Sequence, residues 1–367
     1  MHIITPITVI LGIAHLGTAH PGEHILRDES SILQKRAYHS QVTQGYGTCV
    51  KNPALADLTA RADLRRRNIV EIQRQDLAAR RQSQQVLSPN PDPNPNVVDL
   101  PEPLRKSHLK TDTNIGLDTP EHELFNDDGI CVLNPESVVG PFYVTGELIR
   151  SDITESQPGI PMTINVQFIN VETCEPVPGI WWDIWSCNAT GVYSGVMSWG
   201  NGDKDDTTNL DATFLRGLQQ TDSEGVAQFQ TIFPGHYSHR ATHLHVAAHV
   251  GNVTRFANDT IAGGTVAHIG QLYWDQDLVY EVEETHPYNT NSVPITPNAR
   301  DGLFLDEVEG TTSDPVFNYV KLGDDIQDGI FAWVSVAINV SASYDLIDNW
   351  RPKGHGDILQ SGDDSPV

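Results

Sequence analysis

Thr231–Val250 reads TIFPGHYSHRATHLHVAAHV, and its reading decides how the rest of the chain is understood. An apolar run closes at Phe233, a Pro-Gly pair turns the chain, and from Thr242 onward His alternates with Leu, Val and Ala. Period-two alternation is a strand signal, because successive side chains on a strand point to opposite faces. His243 and His245 are two apart and share a face, the spacing that a metal-binding pair on a sheet requires. The apolar continuation HVAAHV carries this strand into a core, where imidazoles without partners are costly.

Outward from that strand, short β-like runs recur: MTINVQFINV, GIWWDIWSC, GVAQFQTIF, GQLYWDQDLVYEV and FAWVSVAINVSA, several of them separated by turn signals such as EPVPG and DSEG. No helical repeats intervene, so the fold class expected is mainly β, an antiparallel sandwich or barrel over 125–350. The region before it differs in character. Residues 54–86 are rich in Ala, Leu, Arg and Gln, with Leu55, Leu58, Ala62, Ile69 and Ile72 at near-heptad intervals, and predict an amphipathic helix. Its apolar stripe is narrow, so it must pack on something outside its own segment; a folded-back arm and a homodimer contact both satisfy this. SPNPDPNPN marks a Pro-rich linker, taken as 87–124, because alternating Pro can neither continue a helix nor enter a sheet. Residues 351–367 read as a polar tail.

The N-terminus, MHIITPITVILGIAHLGTAH, has an apolar run followed by Gly17 and Ala19 at the positions a signal peptidase reads, so 1–19 is expected to be a signal peptide and the protein secreted. Residues 20–53 are expected to be extended or processed, with Lys35-Arg36 offering a cleavage point before Ala37. In an oxidising compartment Cys49, Cys131, Cys174 and Cys187 would form two disulfides. If GIWWDIWSC is one strand, Cys187 lies roughly 25–30 Å from Cys174, so Cys49 and Cys131 are each expected to pair with one of those two. Sequons at Asn188, Asn252, Asn258 and Asn339 agree with secretion. A formal charge of −25 over 367 residues argues against nucleic acid and anionic membranes as partners, since both need clustered Lys and Arg.

A His-x-His strand is common to several metal-site classes. A cupin would place a carboxylate four or five residues on, and Val246–Val250 has none. A zinc amidohydrolase needs βα repeats, which are missing, and a ferrous two-His, one-carboxylate site finds no well-placed acid at Asp259 or Asp275. The nearby candidates are phenols: Tyr237 in the turn before the His strand and Tyr193 in NATGVYSG. With a reference pKa of about 10, a phenol ligates as phenolate only to a strong, hard Lewis acid such as ferric iron.

Taken in order, GPFYVTGELIRSDITE, VPGIWWDIWSCNATGVYSG, TIFPGHYSHRATHLH and HIGQLYWDQDL resemble the intradiol ring-cleavage dioxygenases, and their secreted fungal branch in particular. The resemblance covers about Cys131 to Asp277. It implies a non-haem Fe(III) held by Tyr193, Tyr237, His243 and His245, and a catechol-type aromatic diol cleaved by O2 between its hydroxyl-bearing carbons to a muconate-type diacid. It further implies Arg240 beside the substrate, Gln271 behind the ligands, Tyr143 as pocket wall, and Tyr237 as the ligand that takes up a proton. His236 and His239 are left as turn or rim residues. RATHLH and Ser186 in IWS depart from the family pattern without touching a ligand. They keep open a secreted β-sandwich binding or surface protein with little turnover, and, more weakly, a zinc hydrolase using the His pair.

Overall fold

The computed structural model describes residues 29–81, 101–110, 140–197, 200–202, 206–308 and 313–341. The expected signal peptide, most of the Pro-rich linker, Cys131 and the polar tail lie outside these residues. Strands β1 (Pro161–Asn170), β4 (Val226–Ile232), β7 (Asn318–Lys321) and β8 (Ile330–Ile338) form a sheet in the order β4-β1-β8-β7. Strands β2 (Trp181–Trp185), β3 (Arg216–Gln220), β5 (His243–Arg255) and β6 (Ile261–Tyr273) form a second sheet, ordered β3-β2-β5-β6. The protein is therefore mainly β, and its strand pairs are antiparallel with the exception of β1 with β8. A parallel pair needs a long crossover. The chain between β1 and β8 provides it.

Alternation explains which face meets the core. Met162, Ile164, Val166 and Phe168 from β1, Trp182 and Ile184 from β2, Leu244 and Val246 from β5, and Ala332, Val334 and Val336 from β8 interdigitate between the sheets. The intervening residues face outward, yet on β8 they too are covered, so this strand is buried along its whole length and reads as an apolar run broken by Ser335 alone.

Helices α1 (Glu29–Cys49) and α2 (Pro53–Arg81) cover the outer face of the first sheet. Val70 of α2 packs on Val320, Phe331 and Trp333, Arg66 lies 5.9 Å from the Trp333 ring, and Gln73 donates to Thr163 at 2.7 Å. Of the two options for the amphipathic helix, these contacts make it a folded-back arm. Its buried stripe is Leu55, Leu58, Ala62, Asp63, Arg66, Arg67 and Val70, while Ile72 is 58% exposed. The heptad reading misplaced Ile72 because a lone helix drifts from a strict seven-residue repeat at 3.6 residues per turn. Instead of the extended N-terminal segment expected over 20–53, residues 29–49 are helical, with Val42 seated on Val171 and Ala337.

Cys49 and Cys174 are bridged across 125 residues and fasten the α1–α2 turn to the end of β1. Cys187 is not bridged: its buried thiol donates to the Gly235 carbonyl, so the expected second disulfide through Cys187 is not made. Another correction concerns GQLYWDQDLVYEV, whose second half is helix α3 (Gln276–Glu283) rather than strand. Leu278, Val279 and Val282 bury one helical side, an i, i+1, i+4 pattern that mimics an apolar strand when read over so few residues. Helix α4 (Gly302–Val308) follows. Among the described residues no helix is long and apolar enough to cross a membrane.

Candidate metal centre and active site

The second sheet carries the site on its outer face, away from the sandwich core. His243 and His245 project there from β5, beside Trp185 and under Phe142, Tyr143, Tyr193 and Tyr237, which form a buried cluster of their own. Two loops far apart in sequence deliver the tyrosines. A Cβ on Gly191 would sit 2.3 Å from the His236 carbonyl, and one on Gly235 would sit 2.5 Å from the Ala189 carbonyl. Only glycines allow these backbones to touch, and that approach sets the Tyr193 and Tyr237 rings 5.6 Å apart. Tyr193 is further fixed through its backbone, whose N–H donates to Asn201 Oδ1 at 2.6 Å and whose carbonyl accepts from Asn201 and Asn209.

All four expected metal ligands are thus brought together. A carbonyl can only accept, so the 2.6 Å contact between His243 Nδ1 and Ala241 O puts the proton on Nδ1. In that tautomer His243 presents a lone pair at Nε2, which faces His245 Nε2 at 3.0 Å and Tyr237 Oη at 3.3 Å. Trp185 stacks on the His245 ring at 5.0 Å and 6°, and Phe142 stacks on Tyr193 at 4.6 Å and 24°. Burial, followed by the neighbouring His243, holds His245 well below the ordinary histidine pKa, so it is neutral near pH 7. Burial raises both phenols: Tyr193 stays well above the usual range, and Tyr237 rises although Arg240 opposes the shift. The Tyr193 hydroxyl is buried beside that of Tyr237 and makes no well-formed hydrogen bond among the described residues.

Convergent imidazole nitrogens and phenol oxygens, one of them an orphan, fit a hard, highly charged cation. Two phenols become good ligands only when strong positive charge offsets their high pKa values. Among the described residues no group of three or more His, Cys, Asp and Glu is placed to hold a metal, and the side chains packed beside the His pair are phenols.

Arg240 is fully enclosed beside the cluster. Its Nη1 points to Tyr237 Oη at 3.5 Å, and its Nη2 donates to Gln271 Oε1 and to Tyr273 Oη at 3.3 Å. Burial disfavours the guanidinium charge, but Asp301, whose Oδ2 accepts from Nε at 2.8 Å, overcomes this and raises the pKa. Gln271 therefore sits between Arg240 and Tyr273, whose hydroxyl donates to it at 3.0 Å. Tyr143 packs on Trp185 and donates to Asp183, as wall rather than ligand. His239 is an exposed turn residue with φ of 66°, whereas His236 is not rim: it is buried and tied to Glu283 at 2.5 Å and the Val293 carbonyl at 2.7 Å.

Sequence reading missed Phe142, Trp185, Arg216, Tyr273 and Asp301. Arg216 is buried 5.9 Å from the Tyr193 ring and donates to the carbonyls of Phe142 and Ser194. Phe142 and Trp185 lay inside quoted motifs and could have been weighed as ring partners; nothing local marks Arg216 or Asp301.

Residues 138–282, which carry all four convergent side chains, match the family model described as Dioxygenase. With that match the resemblance to intradiol ring-cleavage dioxygenases holds for this segment, and the protein is an enzyme of the dioxygenase class, an oxidoreductase. Similar solved structures include an intradiol ring-cleavage dioxygenase from Tetranychus urticae, with 29% identity, 59% of this chain and 98% of that chain covered, and a TM-score of 0.48. Another is the dioxygenase domain of a dioxygenase carbohydrate-binding protein fusion from Streptomyces sp. SirexAA-E, with 23% identity, 55% and 96% coverage, and a TM-score of 0.35. A third is hydroxyquinol 1,2-dioxygenase from Pseudomonas putida DLL-E4, with 17% identity, 58% and 68% coverage, and a TM-score of 0.35. No curated protein matches the chain.

Proposed function

We propose that the protein is a secreted intradiol dioxygenase that binds Fe(III) through Tyr193, Tyr237, His243 and His245 and cleaves a catechol-type ring with O2 between the two hydroxyl-bearing carbons. The observation that carries this reading is the convergence of the Nε2 atoms of His243 and His245, 3.0 Å apart, with Tyr237 Oη 3.3 Å from His243 Nε2 and the buried Tyr193 ring 5.6 Å from that of Tyr237 and 5.8 Å from that of His245. When bound, ferric iron would supply the Lewis acidity that draws both protons from an aromatic diol and holds its dianion.

The protein's own groups supply the rest. The Nδ1 proton of His243 is held by the Ala241 carbonyl, which leaves Nε2 as its ligating atom, and burial keeps His245 neutral, so His245 needs to lose no proton before ligating. Tyr237 Oη, with its raised pKa and with Arg240 Nη1 beside it, is the atom placed to take up a proton from the diol. The Arg240 guanidinium faces the same space and stabilises negative charge developing on the ring, an effect strengthened where water is excluded. Phe142 and Trp185 hold Tyr193 and His245 by stacking, so the donors are preorganised.

An oxygen-electrode screen over catechol, hydroxyquinol, protocatechuate and lignin-derived diols tests the reading, together with iron analysis and the visible spectrum. Uptake of one O2 per diol by a red, iron-containing protein is expected, the colour arising from tyrosinate-to-iron charge transfer. Colourless, folded protein after iron-replete expression, or iron-loaded protein without oxygen uptake, overturns it; the latter result supports a binding protein of the same fold. The mature N-terminus of protein from the culture medium tests secretion, and cleavage after Ala19 is expected.

A further inference from the structure

Asp301 lies outside the segment that the dioxygenase model matches, and its side chain has no exposure to solvent. Each carboxylate oxygen has a different task. Oδ2 accepts from Arg240 Nε at 2.8 Å and from the Ala241 backbone N–H at 2.7 Å, while Oδ1 accepts from the backbone N–H groups of Leu303 at 2.8 Å and Phe304 at 3.1 Å. A second link runs parallel: the Phe304 ring stands edge-on to Tyr273 at 4.8 Å and 88°, and the Tyr273 hydroxyl contacts both Gln271 and Arg240. Residues 301–304 therefore hold the Arg240 side chain directly through Nε and indirectly through Tyr273. A long side chain with free torsions would otherwise place its charge over a wide arc; here Nη1 is directed at Tyr237 Oη.

We infer that Asp301 is a positioning residue for ring cleavage: it acts through Arg240, fixing the guanidinium against the reacting diol. The inference rests on the proposed function for its kinetic meaning, while the Asp301–Arg240 coupling is testable without turnover. A misplacement of about 1 Å at such a site costs on the order of 100-fold in rate. Asp301→Asn keeps the shape but removes the charge that orients Nε, so kcat is expected to fall about 100-fold with KM for the diol within about threefold. In an Arg240→Gln background the same change should lower kcat by less than about threefold, because the group through which it acts is already gone.

The decisive measurement is the cycle of wild type, D301N, R240Q and the double variant, followed by kcat, KM and thermal melting. R240Q leaves a buried carboxylate without its counter-charge, so the double variant should melt about 5–10 °C above R240Q alone. Additive loss of kcat in the double variant, or D301N within threefold of wild type, overturns the positioning role. Additive melting temperatures overturn the coupling itself. If D301N does not accumulate as folded protein, Asp301→Ser, which keeps an oxygen for the Leu303 and Phe304 N–H groups, must show the same kcat loss or the inference fails. Absence of oxygen uptake by wild type refutes the proposed function and with it the kinetic role, whereas the melting cycle reports on the pair alone, so the two failures are distinguishable.

Discussion

Both sheets bury their outer faces, but what covers them differs. Over the β4-β1-β8-β7 sheet, α2 meets polar outward residues with polar partners: Gln73 with Thr163, Arg66 with Ser335 at 3.4 Å, and Arg74 with the Lys321 carbonyl at 2.9 Å. Over the β3-β2-β5-β6 sheet, the outward His243 and His245 and the overlying tyrosines point at one another instead. The first cover ties α2 to the sheet and stabilises the fold, although some of its buried atoms, such as Gln73 Oε1, make no hydrogen bond among the described residues. The second concentrates groups that a bound cation would satisfy, the usual trade of stability for function at a site.

The sharpest way to break this comparison is Tyr193→Phe. The hydroxyl has no well-formed hydrogen bond to lose, so melting should move by less than about 2 °C while ring cleavage falls by at least about 1,000-fold, and Tyr237→Phe should alter the visible band. Equal losses of stability and activity in oxygen-uptake and melting assays would make the second cover structural like the first. On the other sheet Trp333→Ala should do the reverse. Trp333 is fully buried between the strand and α2, so urea unfolding should show a loss of about 3–5 kcal/mol, with the iron content of the folded fraction unchanged. Replacing Cys49 and Cys174 together by Ser should cost about 2–4 kcal/mol by releasing a constraint on the unfolded chain, again without altering the visible band.

The smallest expected effect concerns the strap that joins the two sheets. His108 is buried next to the edge strand β7, its carbonyl accepting from Tyr319 N–H, and its ring bridges Asp275 at 2.6 Å and Asp314 at 3.0 Å. Burial opposes its charge, but the hydrogen bonds to Asp275 and then Asp314 raise its pKa above 6.5. Asp314 is held below 3.8: burial works against this, and His108 and Lys106 outweigh it. A raised histidine pKa stabilises fully below the unfolded value and loses that contribution as pH rises through the folded one; the lowered carboxyl behaves in the opposite sense. The strap is therefore strongest between about pH 4 and 6.5. Melting should fall as pH rises from 6 to 8, and His108→Gln should flatten that slope.

Much of the sandwich was legible in the chain because one side chain in two on β1, β2 and β4 reports its face directly, and turn residues mark the breaks. Residues 276–283 were misread since a short helix that buries Leu278, Val279 and Val282 shows too little period to differ from a strand. Its cap signal was present in Asp275, but that carboxylate serves His108 instead. Helix Glu29–Cys49 escaped notice because, among its described side chains over 40–49, Val42 and Cys49 alone are fully buried, too few to show a helical period.

The sequence by itself determined that His243 and His245 share a face and that two tyrosines stand within motif reach of them, since strand geometry converts spacing into direction. Only the tertiary structure decided which face this is, that Gly191 and Gly235 let the tyrosine loops meet, and that Arg240 is held by Asp301 from 61 residues away. Such contacts depend on loop paths and on the packing of whole elements, and no local pattern in the chain encodes them.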